Sequence, residues 1–228
     1  MHARRWWEWV RDLKRGPNYL RVYAVTDPDC NARQGRTMLE AVRQAIEGGA
    51  TIVQLREKET DAGAFVATAR EALALCRQYG VPLVINDRVD VCLAVGADGV
   101  HVGQSDIPAE DVRRIIGPDR ILGVSTKTPD QVQAAFDAGA DYVGAGAVYP
   151  TTTKKDYVDL GLARLEKICA MSPLPVVAIG GIKPGNIEPC MKAGAVGVAV
   201  VSGIFDTPSP AAACQQITRE VAAGLGIA

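Results

Sequence analysis

Short apolar runs alternate with longer amphipathic stretches along most of the chain. The short runs are rich in Val, Ile and Leu with little polar alternation, which is typical of parallel strands buried on both faces. The longer stretches predict helices, as in Pro129–Ala138, where Val132, Ala135 and Phe136 share one face. The predicted strands are Leu20–Thr26, Ile52–Leu55, Leu83–Asn86, Gly99–Val102, Ile121–Ser125, Tyr142–Gly146, Val176–Gly180 and Gly197–Val201.

A Gly-Ala pair ends four of the predicted helices, at Gly49, Gly96, Gly139 and Gly194, and leads each time into an apolar run. Glycine suits the left-handed position just beyond a helix. The pairs recur about every 45–55 residues, a period that fits two βα units. Eight strands in regular alternation within 228 residues favour a closed barrel over an open sheet, and no G-x-G-x-x-G follows the first strand. We therefore predict the α/β class and a (β/α)8 TIM barrel of the phosphate-binding type.

Residues 1–18 lie outside this alternation. Four apolar residues stand near helical spacing, with Arg and Lys between them: Trp6, Trp7, Val10 and Leu13. One interpretation is a helix that binds a membrane surface or a partner. We favour an extra N-terminal helix that packs its indoles against the bottom or side of the barrel. The predicted organisation is thus an N-terminal helical extension over 1–18 and a single barrel domain over 19–228.

Composition narrows the expected environment. A net charge of −1 argues against nucleic-acid binding, which requires a basic surplus. None of the six cysteines forms a C-x-x-C pair, so free thiols in a reducing compartment are expected. No apolar run approaches the ~20 residues that span a bilayer, and the N-terminus has no signal-peptide core. We expect a cytoplasmic protein with small-molecule partners and no membrane contact, and leave a homo-oligomer open.

Charged residues follow the second predicted strand, at the end of the barrel where such folds bind ligands. In Gln54–Lys58, Arg56 and Lys58 are suited to grip a phosphate, with Glu57 holding one of them in place. The alternative is a solvated salt bridge within the loop.

Two carboxylates follow the third and fourth predicted strands. Asp87 and Asp106 are expected at neighbouring strand tips, where they can share one Mg²⁺, a cation that takes its other ligands from phosphate and water. The alternative for Asp106 is a cap for the helix that begins near Pro108.

The remaining polar residues near these strand ends suggest binding rather than covalent catalysis. His101 lies within a strand run and is interpreted as structural. Ser125 follows the fifth strand, and since no histidine comes after His101, we interpret Ser125 as a hydrogen-bonding group and not as a nucleophile.

Two further segments are suited to anions. The segment Pro150–Asp156 combines hydroxyls with two lysines, as in a pyrophosphate site, although a polar loop without a ligand is the alternative. Gly180-Gly181-Ile182 and Val201–Ile204 occupy the phosphate position of such barrels. With a Mg²⁺ site and no evident nucleophile, these sites favour metal-assisted departure of pyrophosphate.

Together these motifs resemble those of the thiamin-phosphate synthase family. They occur in the family's order and cover roughly residues 20–205. The matching segments are Tyr23–Asp27, Gln54–Lys58, Asn86–Arg88, Gly99–Gln104, Gly123–Ser125, Pro150–Asp156, Ile179–Ile182 and Val201-Ser202.

The resemblance implies a transferase of a pyrimidinylmethyl group, which joins hydroxymethylpyrimidine pyrophosphate to a thiazole phosphate and releases pyrophosphate. It implies one Mg²⁺ per subunit, held by Asp87 and Asp106. The implied catalytic residues are Arg56, Ser125 and Lys154. The implied substrate-binding residues are Gln54, Arg56, Lys58, Asn86, Ser125, Thr151, Thr153, Lys154, Gly181, Val201 and Ser202.

The sequence departs from the family in two places, and other functions remain open. Ala147 stands where the family often has proline, and the tryptophan-rich start is outside the family pattern. One alternative is a thiazole tautomerase, which needs a base where this chain has Thr126 and Lys127. A second is a non-catalytic thiamin-phosphate-binding protein, which has no need of Asp87, Asp106, Arg56 and Lys154 together. A third is a metal-free sugar-phosphate isomerase, which leaves the Thr151–Lys155 cluster unexplained.

Overall fold

The computed structural model describes residues 6–14, 16–58, 60–151 and 160–227. Within them, eight parallel strands pair in sequence order, and the last pairs with the first to close a barrel, as predicted. The second, third, fourth and sixth strands have the predicted bounds. The strands are β1 Val22–Val25, β2 Ile52–Leu55, β3 Leu83–Asn86, β4 Gly99–Val102, β5 Ile121–Thr126, β6 Tyr142–Gly146, β7 Val176–Ile179 and β8 Gly197–Val200.

Helices surround the barrel and connect its strands. The predicted first strand began too early, because Pro17–Leu20 forms a 3-10 helix and β1 starts only at Val22. The glycines that were predicted to end helices all have positive φ, from 70° at Gly96 to 105° at Gly49. The α-helices are α1 Trp6–Leu13, α2 Pro28–Arg33, α3 Met38–Glu47, α4 Ala62–Tyr79, α5 Val89–Val95, α6 Ala109–Ile116, α7 Pro129–Asp137, α8 Gly161–Met171, α9 Glu188–Lys192, α10 Ser202–Phe205 and α11 Pro210–Leu225.

The interior of the barrel changes from apolar to polar along the strands. Since side chains alternate between the two faces of a strand, every second residue points inward. Near the start of the strands these are residues such as Ile52 and Val84, which belong to a buried apolar cluster. Two residues further along, the inward positions are Gln54 and Asn86. The carboxyl end of the barrel is therefore lined by polar groups.

Helix α1 packs at the opposite, amino-terminal end of the barrel. Val10 is buried, and Trp9 and Leu13 pack against the interior cluster. Lys14 Nζ lies 2.8 Å from Asp141 Oδ1, just before β6. Described residues of the extension thus pack against the bottom of the barrel, as we favoured, while the side chains of the first two tryptophans lie outside the described residues. Among the helices that the structure describes, none is both long and apolar enough to cross a membrane.

Candidate active site

Asp87 occupies an unusual backbone position directly after β3. Its φ is +61°, in the left-handed region that Asp and Asn tolerate better than most residues. Its backbone N–H donates to the carbonyl oxygen of His101 over 2.8 Å, which ties the end of β3 to β4. The backbone is thereby fixed where the Asp87 carboxylate meets the loop after β4.

The carboxyl groups of Asp87 and Asp106 interact, in agreement with their expected positions at neighbouring strand tips. Burial raises the pKa of Asp87, and the charge and hydrogen bond of Asp106 raise it further, while Lys58 opposes the shift. Lys58 Nζ lies 3.4 Å from Asp87 Oδ2, and the backbone N–H of Gly103 donates to Asp106 Oδ2 over 2.7 Å. Two carboxylates in contact form a site of concentrated negative charge. Their role as metal ligands stays a prediction.

The alternative role for Asp106 as a helix cap is wrong. Helix α6 begins at Ala109 with Pro108 in the cap position, and no side chain caps it by a hydrogen bond. Asp106 instead accepts a hydrogen bond from Gly103, three residues earlier. Its carboxylate is therefore held within the loop after β4, beside the end of β3.

The predicted support of Arg56 or Lys58 by Glu57 is replaced by other contacts. Arg56 Nη1 lies 3.4 Å from Asp27 Oδ2, and both side chains are mostly buried. Glu57 accepts a hydrogen bond from the hydroxyl of Thr60 over 2.9 Å, and burial raises its pKa. Lys58 has Asp87 as its neighbour. The partner of Arg56 thus comes from the end of β1, which the motif alone did not indicate.

Ser125 belongs to a hydrogen-bonded row of side chains inside the barrel. His101 Nε2 lies 2.9 Å from Ser125 Oγ, and His101 Nδ1 lies 2.9 Å from Tyr142 Oη. Tyr142 Oη lies 2.7 Å from Tyr23 Oη, to which Gln54 Nε2 donates over 2.9 Å. We call these five residues the polar row. The core position predicted for His101 is confirmed, but its contact with Ser125 was missed, as were both tyrosines; their polar side chains at inward strand positions were the available signal.

The ends of β6, β7 and β8 form the second predicted anion site. A Cβ on Gly181 would lie 2.6 Å from the carbonyl oxygen of Pro150, so glycine permits a close approach of two loops here. Asn186 fixes the loop after β7, since it accepts from the N–H of Lys183 and donates to the carbonyl of Gly181, each over 2.9 Å. Ser202 is exposed at the start of α10. Close loop packing explains Gly181 without a ligand, and its phosphate contact stays a prediction.

Two of the predicted site residues cannot be placed. Thr153 and Lys154 belong to 152–159, which lie outside the described residues. Thr151 is described and half-buried at the end of the loop after β6. Asn86, at the end of β3, is half-buried, and Val201 directly precedes α10. The described members of the predicted set therefore lie at the carboxyl ends of seven strands, β2 to β8.

Comparisons with known proteins agree with this arrangement. The family described as thiamine monophosphate synthase matches residues 22–204. The chain is 49% identical over 205 residues to "Thiamine-phosphate synthase" of Roseiflexus sp. strain RS-1, covering 90% of this chain and 86% of that protein. It is 53% identical over 196 residues to "Probable thiamine biosynthetic bifunctional enzyme, chloroplastic" of Oryza sativa subsp. japonica, covering 85% of this chain and 36% of that protein.

A solved structure extends the match to three dimensions. "Thiamine phosphate pyrophosphorylase from Pyrococcus furiosus" superimposes with a TM-score of 0.84 at 37% identity, over 92% of this chain and 98% of that one. The chain spans only about a third, 36%, of the length of the Oryza sativa relative. The sequence match, the closed barrel and the polar carboxyl ends of its strands agree: the chain belongs to the thiamine monophosphate synthase family.

Proposed function

We propose that this chain is a thiamin-phosphate synthase, which joins hydroxymethylpyrimidine pyrophosphate and thiazole phosphate into thiamin phosphate and pyrophosphate. The observation that supports it best is the grouping of two cationic and two anionic side chains at neighbouring strand ends. Arg56 and Lys58 suit the oxygens of a pyrophosphate, and the contact between Asp87 and Asp106 suits a divalent cation bound to the same group.

The reaction requires the pyrophosphate to leave with the electron pair of the bond between its oxygen and the pyrimidine methylene carbon. Arg56 is positioned for this task by Asp27, which holds the guanidinium near the end of β2. Lys58 is about half exposed, so its ammonium can turn from Asp87 toward the departing group. The thiazole nitrogen then attacks the methylene carbon. No side chain has to remove a proton from the nucleophile, so the reaction needs no general base.

The two aspartates fit Mg²⁺ by the chemistry of their donor set. Both offer hard carboxylate oxygens, and each lies in a loop at a strand end that faces the same opening. Because Mg²⁺ usually takes one or two protein carboxylates and its other ligands from phosphate and water, we assign the pair as its protein ligands. When bound, Mg²⁺ supplies positive charge that stabilises the pyrophosphate as it leaves.

The thiazole phosphate is assigned to the opposite side of the opening. Thr151, Gly181, Val201 and Ser202 lie at the ends of β6, β7 and β8, next to the start of α10. Backbone N–H groups and hydroxyls there are suited to a phosphate. Thr153 and Lys154 are assigned to the substrates only by the family resemblance.

The direct test is to incubate the protein with Mg²⁺ and both substrates and to measure thiamin phosphate by mass spectrometry. We expect product from the unaltered chain, and little from Asp87→Asn or from a reaction with excess chelator. Asp111→Asn is the matched control, because Asp111 pairs with Arg114 on the exposed surface of α6. Absence of product from the unaltered chain, whichever substrate is added first, would contradict the proposal.

A further inference from the structure

The polar row links two predicted substrate-binding residues through the inside of the barrel. Gln54 on β2 is at one end and Ser125 on β5 at the other, with Tyr23, Tyr142 and His101 between them. Every link is a single hydrogen bond of 2.7–2.9 Å. Three residues without a predicted role thus determine what the two end groups can donate or accept.

Because the middle of the polar row is buried, each hydroxyl proton there needs an acceptor among the neighbouring side chains. Tyr23 is 1% exposed, Tyr142 0% and His101 8%, so little water competes for their polar atoms. Burial raises the pKa of both phenols, and each therefore keeps its one proton. A buried hydroxyl proton without an acceptor is costly. Each phenol must therefore donate to one neighbour in the row and accept from the other.

The Gln54 amide nitrogen sets the order, because it can only donate. Tyr23 Oη accepts this hydrogen bond, so its own proton goes to Tyr142 Oη, its other partner among the described residues. Tyr142 in turn donates to His101 Nδ1. If Tyr142 donated to Tyr23 instead, the hydroxyl proton of Tyr23 would be buried against the amide N–H of Gln54 and would have no acceptor.

The last two links follow from the chemistry of imidazole. A ring nitrogen that accepts a hydrogen bond carries no proton, so a neutral His101 that accepts at Nδ1 is protonated at Nε2. That N–H donates to Ser125 Oγ. We propose that the polar row has this single direction, and that Ser125 therefore donates its own hydroxyl proton to the substrate.

The packing around His101 supports a fixed arrangement. A Cβ on Gly123 would overlap the ring of Tyr142 and lie 2.5 Å from His101 Nδ1, so this inward position has to be glycine for the two side chains to meet. The rings of His101 and Tyr142 pack with centroids 5.6 Å apart, and those of Tyr23 and Tyr142 with centroids 5.8 Å apart. The imidazole is therefore held between two specified partners.

The consequence for Ser125 is the opposite of nucleophilic activation. In a Ser-His pair that makes a nucleophile, the imidazole accepts the hydroxyl proton. Here His101 donates to the serine oxygen, which leaves the serine proton available to bind an anionic oxygen in the opening. That this oxygen belongs to pyrophosphate rests on the proposed function, whereas the direction of the row does not.

The tautomer of His101 can be measured without any substrate. The chain has two histidines, His2 and His101, so a His2→Ala protein labelled with ¹⁵N-histidine gives signals from His101 alone. Long-range ¹H–¹⁵N correlation spectra at about pH 7 distinguish the two neutral tautomers of His101 from each other and from the form with both nitrogens protonated. We expect the neutral form with its proton on Nε2. A proton on Nδ1, or on both nitrogens, would overturn the proposal.

Phenol-to-phenyl substitutions test whether the row sets this tautomer. In Tyr142→Phe, Nδ1 loses its donor, and we expect a mixture of both neutral tautomers. Tyr79→Phe is the control, because the Tyr79 hydroxyl binds Glu47 at the surface, and its spectrum should match the parent. Should Tyr142→Phe not fold, Tyr23→Phe tests the same link in the other direction: Tyr142 then has His101 Nδ1 as its one remaining acceptor in the row, and the proton should stay on Nε2. An unchanged tautomer in Tyr142→Phe, or a proton on Nδ1 in Tyr23→Phe, would contradict the proposal.

Two substitutions of His101 distinguish a role in positioning the Ser125 hydroxyl from a role in packing alone. The amide of His101→Gln reaches the place of Nε2 and can donate to Ser125, whereas that of His101→Asn reaches only the place of Nδ1. We expect kcat to fall on the order of tenfold in the first and 100-fold in the second, in the range seen when residues that orient a ligand are removed, with KM changing less. Equal losses would contradict positioning. Absence of synthase activity in the parent would remove the proposed function and leave the tautomer result standing.

Discussion

Partly buried aspartates at the two ends of the barrel differ in how their charge is balanced. At the amino-terminal end, Asp141 lies 2.8 Å from Lys14 and 2.8 Å from Arg113, and it also accepts from the N–H of Leu122. At the carboxyl end, Asp87 faces another carboxylate, with one half-exposed lysine at 3.4 Å. The same residue type is thus saturated with donors at one end and left with excess negative charge at the other.

This difference separates stability from function. Removing a partly buried carboxylate that accepts from three donors, or one of its donors, destabilises the fold because charged or polar groups lose their partners. Two carboxylates in contact, one of them on left-handed backbone, destabilise the free protein and persist where a ligand requires them. We therefore expect substitutions at the two ends to affect different quantities.

The largest expected effect is on catalysis, at the carboxyl end. Asp87→Asn keeps a residue that tolerates positive φ but removes one of the two proposed Mg²⁺ ligands. We expect kcat to fall by about 10²–10³-fold, which corresponds to several kcal/mol of lost charge stabilisation. Steady-state kinetics with both substrates measure it. The melting temperature without metal should stay equal or rise, since a like-charge contact is removed; a clear fall in stability would contradict the comparison.

The next effect is on stability, at the amino-terminal end. Asp141→Asn leaves Lys14 and Arg113 without their shared carboxylate, and we expect the free energy of unfolding to fall by about 3 kcal/mol. Urea unfolding followed by circular dichroism measures it. The kcat of the folded protein should match the parent; a loss of kcat without a loss of stability would show that the two ends are not independent.

The smallest effect concerns helix α1. Val10 is 3% exposed against the barrel interior, and Val10→Ala should lower the free energy of unfolding by roughly 1–2 kcal/mol through lost burial. Glu8→Ala, on the exposed face of the same helix, is the control and should change it by less than about 0.5 kcal/mol. Equal effects of both would mean that α1 does not pack as described.

The sequence predicts the strands better than the contacts at their ends. Bounds such as Ile52–Leu55 follow directly from unbroken apolar runs, because strands buried on both faces exclude polar residues. The pairing of Tyr23 with Tyr142 joins residues 119 positions apart, and it depends on closure of the barrel, which local patterns do not encode. The contact of Asp27 with Arg56, across 29 positions, depends on the pairing of β1 with β2, which neither motif indicates by itself.

The two aspartates could be predicted as neighbours but not as a contact. Their place after β3 and β4 puts them at adjacent strand tips by topology alone. The left-handed turn at Asp87 and the hydrogen bond from Gly103 to Asp106, which bring the carboxyl groups together, arise from loop geometry. Because that geometry has no distinctive sequence signal, the sequence left a helix cap open as the alternative interpretation of Asp106.

Binding of magnesium pyrophosphate tests the central claim most directly, since it requires no turnover. Isothermal titration of the complex into the parent protein, Asp87→Asn and Asp111→Asn compares the carboxylate pair with a surface aspartate. We predict that Asp87→Asn binds at least about tenfold more weakly, as expected for the loss of one of two protein ligands, and that Asp111→Asn binds like the parent. Equal affinity in all three proteins would contradict the assignment of Asp87 and Asp106 to the metal.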